Sequence, residues 1–152
     1  MKEFIDMFIR KYGLYFAWLL SAFATLTSLY FSEVKNYEPC HLCWFQRICL
    51  FPLVIILGIA TYRNFLGISR YVLPQAVIGL LFACYQVAIQ EIPGWNPIDI
   101  CGAGPSCSEK ISIGLGFVTI PMLAALGFFI LCLLLASIWI NEQRNKNTID
   151  QI

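Results

Sequence analysis

The sequence predicts an all-α integral membrane four-helix bundle with two outward-facing cysteine-bearing loops. Three observations carry this expectation. The chain has 152 residues, of which 59% are hydrophobic and only 12% charged, and its mean hydropathy is +0.73. A soluble domain averages about 45–50% apolar and about 25% charged residues. This chain therefore has too few charges to cover a water-facing surface. Its charges are also clustered, which leaves long uncharged stretches. Finally, four of its seven cysteines fall between those stretches rather than inside them. The length accommodates one membrane domain over residues 1–152. A net charge of +1 gives no footprint for nucleic acid.

Tyr12 to Phe31 carries no charge, Trp44 to Tyr62 carries only Arg47, and Tyr71 to Gln90 and Ile111 to Asn141 carry none. A helix of about 20 residues crosses a hydrocarbon core of about 30 Å, so the expected spans are roughly 12–31, 44–62, 71–90 and 113–140. In lipid the backbone must satisfy its own hydrogen bonds, which makes helix the default. Pro74 and Pro121 stand near the starts of their stretches, where proline costs little, and Pro52 inside the second span is expected to kink it. Ala22-Phe23-Ala24 fits a small-x-small cleavage pattern. The apolar run nevertheless continues to Phe31, longer than an ordinary signal core, and a retained span is the expectation.

Four spans place both termini on one side. Lys2, Arg10 and Lys11, then Arg63 and Arg70, then Arg144 and Lys146 form the basic clusters, whereas the other two loops hold Lys35 and Lys110. The positive-inside bias puts the termini and the 63–70 loop in the cytoplasm. Segments 32–43 and 91–112 then face outward. Trp18, Trp44, Trp95, Trp139, Tyr12, Tyr37 and Tyr71 mostly lie near the expected interfaces, as an aromatic belt does.

The outward segments hold Cys40 with Cys43 and Cys101 with Cys107. Disulfides form and persist on the oxidising side of a membrane. Cys49, Cys84 and Cys132 lie within spans and read as small packing residues. Cys40-His41-Leu42-Cys43 is a C-x-x-C that fits a structural disulfide, half of a zinc site or a redox pair. Cys101 and Cys107 are a loose partner for zinc, whose ligands more often come as two short-spaced pairs, and no metal is expected. Pro39 favours the first turn of a helix, so the pair is expected to open the second span. A helix N-terminus favours thiolate. His41 either adds to this effect or is a polar spacer. Arg47 lies one helical turn beyond Cys43. A guanidinium at that depth either snorkels to the headgroups or serves a site, where it would stabilise negative charge beside Cys43. The stretch from Pro93 to Cys107 is rich in glycine and proline and reads as a loop. A ring closed there by Cys101 and Cys107 is either a staple or an easily attacked, labile disulfide.

Several of these stretches resemble the DsbB family of membrane disulfide-bond-formation proteins, most closely its short BdbC-type members. They are Leu29-Tyr30-Phe31-Ser32-Glu33, Pro39-Cys40-His41-Leu42-Cys43-Trp44-Phe45-Gln46-Arg47, Gln90-Glu91-Ile92-Pro93-Gly94, Cys101 with Cys107, and Gly116-Phe117-Val118-Thr119-Ile120-Pro121. The resemblance implies a protein-dithiol:quinone oxidoreductase of the inner (cytoplasmic) membrane. In that scheme a secreted or periplasmic thioredoxin-like oxidase, left reduced, attacks a Cys101–Cys107 disulfide. Cys101 holds the mixed disulfide, and Cys107 passes the electrons to Cys40–Cys43. Cys43 meets the quinone (ubiquinone or menaquinone) beside Arg47, with Gln46 and Gln86 the next candidates for that site. Relatives often carry a histidine late in span three where this chain has Gln86, which hydrogen-bonds but carries no charge. The close spacing of Cys101 and Cys107 differs from the long loop of the Gram-negative archetype, so that loop's proposed motion need not apply. Three alternatives compete with this reading. One is a vitamin-K-epoxide-reductase-like oxidoreductase, another a membrane thiol reductant running electrons outward, and the third a four-helix scaffold with structural disulfides.

Overall fold

The computed structural model describes residues 2–36, 39–92 and 119–149. Cys101, Cys107 and the expected outer loop from residue 93 onward lie outside the described residues, as does the start of the fourth expected span. Four α-helices make up the described chain: α1 (Lys2–Glu33), α2 (His41–Arg63), α3 (Ser69–Glu91) and α4 (Ile120–Ile149), with a short 3-10 turn at Leu66–Ile68.

Each of the four helices is long and apolar enough to cross a membrane. Their surfaces agree with that environment. Phe23, Ile48, Ile55, Leu81 and Leu126 are all exposed, and such a continuous apolar exterior is far larger than a soluble monomer tolerates. Each helix turns only one narrow stripe inward. On α2 the buried positions are Leu42, Gln46, Cys49, Leu53, Leu57 and Ala60. On α3 they include Val72, Ala76, Gly79, Ala83 and Gln86. Steps of three and four residues follow the helical repeat. The remaining circumference is apolar as well, because its solvent is lipid.

The helices pack in sequence order around a ring, α1 on α2, α2 on α3, α3 on α4, and α4 back on α1. Neighbours run antiparallel. Thr61 near the end of α2 donates to the Leu14 carbonyl near the start of α1, whereas Arg47 near the start of α2 reaches Ser28 near the end of α1. The α2–α3 turn is closed by Asn64, which takes a left-handed conformation at φ 52°. That lets the Phe65 N–H bond the Ala60 carbonyl and finish the helix.

The helix boundaries differ from the expected spans in informative ways. α2 begins three residues earlier than Trp44, so Cys43 lies inside its first turn. Pro74 is not at a helix start: α3 already begins at Ser69, which places the proline in the helix interior. Cys84 is exposed on the outer surface of α3, whereas Cys49 is buried. Trp18 packs between α1 and α2, facing Gly58.

Contacts between helices depend on small residues, since lipid tails are as apolar as leucine and close backbone approach must supply the attraction. At Gly79 an added Cβ would lie 2.4 Å from Phe128 Cε1. Phe128 is itself buried, so its ring has nowhere to withdraw. Replacing Gly79 by leucine is expected to force α3 and α4 apart at a cost of at least about 1–3 kcal/mol, read as a lower midpoint for thermal unfolding in detergent. An unchanged midpoint would mean that the two helices slide past one another freely at this crossing.

Candidate functional site

The end of the bundle where α1 finishes and α2 starts carries a cluster of polar side chains. Cys40 is the N-cap of α2, with extended backbone at φ −66° and ψ 167°. Its carbonyl accepts the Trp44 N–H at 3.1 Å. Pro39 before it fixes the entry of the chain into the helix. One turn of helix then brings Cys43 beneath Cys40, with the two sulfurs in hydrogen-bond contact at 2.9 Å. The free N–H groups of a first helical turn lie around the pair and favour negative charge there. Hydrogen bonding with Cys43, reinforced by burial, holds the Cys40 thiol well above the ordinary thiol range. Cys40 is therefore the sulfur that keeps its proton.

Gln86 comes to this pair from α3. Its Nε2 donates toward Cys40 Sγ at 3.2 Å and toward Cys43 Sγ at 3.4 Å. Its Oε1 accepts a 2.7 Å hydrogen bond from Gln46 Nε2. Both glutamines are buried, so each polar atom needs a partner. Arg47, half-buried on the next position of α2, faces α1. Its Nε donates to Ser28 Oγ at 3.0 Å and its Nη2 to the Ser28 carbonyl at 2.9 Å. The guanidinium also lies 5.5 Å from the centre of the Trp44 ring. Arg47 is thus tied between two helices instead of extending alone to the headgroups.

Below the sulfurs a cavity of about 430 Å³ opens between α1 and α4. Its head is lined by Cys40, Cys43, Gln46, Arg47, Gln86 and Gln90. Its body is apolar, with Leu20, Phe23, Ala24 and Phe31 on one side and Leu123, Ala124, Gly127 and Phe128 on the other. An added Cβ on Gly127 would meet nothing within 4 Å, which marks the width of the gap. Phe23 and Leu126 at its margin are exposed on the lipid-facing surface. A polar head beside a dithiol, continued by an apolar groove that opens toward lipid, suits a flat polar ring carrying a long apolar tail.

Residues 10–140 match the family model described as disulfide bond formation protein DsbB. The chain belongs to the DsbB family. Its relatives agree. The "Probable disulfide formation protein" of Chlamydia muridarum (strain MoPn / Nigg) is 55% identical over 127 residues, 84% of this chain and 92% of the relative. The protein of the same description from Chlamydia pneumoniae is 55% identical over 128 residues, 84% of this chain and 92% of the relative. The one from Coxiella burnetii (strain RSA 493 / Nine Mile phase I) is 47% identical over 128 residues, 84% of this chain and 87% of the relative. No solved structure matches. This DsbB-family chain is a disulfide-forming oxidoreductase of the membrane.

Five of the residues singled out in the sequence, Cys40, Cys43, Gln46, Arg47 and Gln86, converge on one site in this DsbB-family fold. Cys101 and Cys107 lie outside the described residues. Ser28 was not singled out, although it supplies both acceptors for Arg47. The available signal was the polar run Thr25, Thr27 and Ser28 in an otherwise apolar span, because a polar group in a membrane helix faces the bundle or a partner. Gln90 was also not singled out, although it is buried and lines the cavity head one turn beyond Gln86.

Proposed function

We propose that this single membrane domain oxidises a secreted thioredoxin-like disulfide oxidase and delivers the electrons to a membrane quinone, with both termini cytoplasmic and the cysteine loops outside. The observation that carries the reading is the Cys40–Cys43 dithiol, which sits at the head of an apolar cavity that also holds Arg47. The family membership supports the thiol half of the reaction, and the cavity supports the quinone half.

The relay begins when a thiolate of the reduced partner attacks Cys101 of the Cys101–Cys107 disulfide. A partner–Cys101 bond forms and Cys107 leaves as thiolate. The partner's second thiol displaces Cys101, so the partner departs oxidised and this pair is left with two electrons and two protons. Cys107 attacks the Cys40–Cys43 disulfide, Cys101 resolves the mixed species, and the reducing equivalents move to Cys40 and Cys43. A bound quinone takes up two electrons and two protons to become quinol. At that step the dithiol becomes a disulfide, Cys43 is the sulfur nearer the acceptor, and Arg47 offers guanidinium N–H groups to a carbonyl oxygen. The sum is partner dithiol plus quinone giving partner disulfide plus quinol. No metal or flavin is needed for the balance.

Turnover settles the reading directly. Purified protein in lipid nanodiscs, given a reduced thioredoxin-like oxidase and either ubiquinone or menaquinone, should consume quinone and partner thiol at one quinone per two thiols. A scaffold with structural disulfides would consume neither. Reduction of the partner at the expense of quinol would establish the opposite direction of flow.

A further inference from the structure

Gln86 stands where a quinone contact was expected, yet the atoms it touches are the sulfurs. Its amide nitrogen lies 3.2 Å from Cys40 Sγ and 3.4 Å from Cys43 Sγ, and the sulfurs are 2.9 Å apart, so one amide N–H is shared between both members of the pair. The orientation of that amide is decided by its other end. Gln46 Nε2 donates to Gln86 Oε1 at 2.7 Å, while the Cys43 thiol reaches that oxygen only at 3.8 Å, so the oxygen is committed chiefly to Gln46 and the nitrogen is the closer end to the sulfurs. With Gln46 turned the other way, Gln86 would donate to Gln46 and present its carbonyl oxygen to a thiolate, which repels it. Both side chains are buried, so water does not relieve the wrong arrangement.

We propose that Gln86 is a catalytic residue of the thiol chemistry, holding negative charge on the Cys40–Cys43 pair with an amide N–H, and that Gln46 is the positioning residue that keeps this amide turned toward the sulfurs. The inference rests on the reading that Cys40–Cys43 is the redox pair. It adds that the charge is held by a neutral donor that cannot titrate. A histidine at the position of Gln86 would lose its second hydrogen as pH rises through its own range, whereas a glutamine amide donates equally well at every pH. Among the described residues, the titratable and charged groups near the pair are Cys40 at the N-cap of α2, Cys43 and Arg47 on α2, exposed His41 on the same turn, and Tyr85 of α3, which packs against the cluster of Cys40, Leu42 and Ile89. The α3 lining consists of the amides Gln86 and Gln90, and the α1 and α4 linings hold no ionisable side chain.

The test follows thiolate formation itself. Full-length protein in nanodiscs, reduced and free of quinone, is alkylated with iodoacetamide across a range of pH, and modification of Cys43 is read by peptide mass. Methionine conserves the volume of glutamine and removes its donors. Gln86→Met is expected to raise the alkylation midpoint by about one to two pH units, a thiolate fraction about ten- to a hundredfold smaller at a given pH. Gln46→Met is expected to raise it by less, since Gln86 stays but loses its anchor. In the double variant Gln46→Met should add nothing to the shift, because it acts only through Gln86. An unmoved midpoint in Gln86→Met overturns the role of Gln86. Equal shifts by Gln46→Met with and without Gln86 overturn the role of Gln46, and if Gln86→Met fails to insert, an unmoved midpoint in Gln46→Met overturns the relay. Quinone is absent throughout, so a failure of quinone turnover and a failure of this relay are separate results.

Discussion

Serine at Cys40, Cys43, Cys101 or Cys107 should abolish turnover, and alanine at Cys49, Cys84 or Cys132 should leave most of it. Oxygen for sulfur changes little in size, yet a serine hydroxyl neither ionises near neutral pH nor forms the covalent bond that carries two electrons between pairs. Cys43 cannot be spared by its neighbour, because the pair stores electrons only as two sulfurs in contact at 2.9 Å. Among the described residues, the other three cysteines have no partner sulfur in contact, and they do not line the cavity. Cys84 is exposed on the outer face of α3, so its loss removes no core packing, and Cys49→Ala leaves a small void costing on the order of 1 kcal/mol. Quinone absorbance and partner thiol titration measure the outcome. Near-normal turnover by Cys101→Ser would reduce the second pair to a staple. Cys107→Ser should in addition accumulate a partner adduct through Cys101 on non-reducing gels. An adduct through Cys107 that needs Cys101 for release would reverse the relay order.

Arg47→Gln should lower kcat/KM for quinone about ten- to a hundredfold. The figure follows from one charge-assisted hydrogen bond worth roughly 1.5–3 kcal/mol at about 1.4 kcal/mol per tenfold. Arg47→Lys keeps the charge and loses the planar fork, so its loss should be smaller. The geometry adds a control. Because Arg47 also ties α2 to Ser28, some effect of its removal is structural, and Ser28→Ala isolates that share. The alanine variant deletes the Oγ acceptor and keeps the carbonyl bond, so it should lower unfolding stability slightly and change quinone kinetics by no more than about threefold. Disulfide exchange with the partner in a single turnover without quinone should be near normal in all three variants. Unchanged quinone kinetics in a correctly inserted Arg47→Gln would leave Arg47 as an interhelical tie and move the quinone contact to Gln46 or Gln86.

The two thiols of the pair differ in pH behaviour. Cys40 is held protonated by its hydrogen bond with Cys43, so a raised thiol pKa keeps the proton in place through neutral pH. The first deprotonation of the pair therefore belongs to Cys43, and alkylation at moderate pH should mark Cys43 before Cys40. Marking of Cys40 first would assign the reactive thiolate to the N-cap sulfur of the pair.

Much of the protein was legible in one dimension. A chain with 12% charged residues cannot solvate its own surface, and in lipid an unpaired backbone is too costly, so composition and backbone hydrogen bonding together decide for helices. Charge spacing then locates the helices, and Pro39-Cys40-x-x-Cys43 with Gln46-Arg47 locates the candidate site, because a short motif at a helix start keeps its geometry wherever the helix goes. The details that require two helices at once were not legible. Gln86 lies 40 residues from Gln46, and no local rule states that the turn of α3 carrying it meets the first turn of α2. Ser28 became the anchor of Arg47 only when α1 ran antiparallel to α2. Gly79 is indistinguishable in sequence from the other span glycines until Phe128 packs against it. Periodicity determines which face of a helix turns inward. Tertiary packing decides which partner that face finds, since side-chain volumes at the crossings set the register between helices to within a turn.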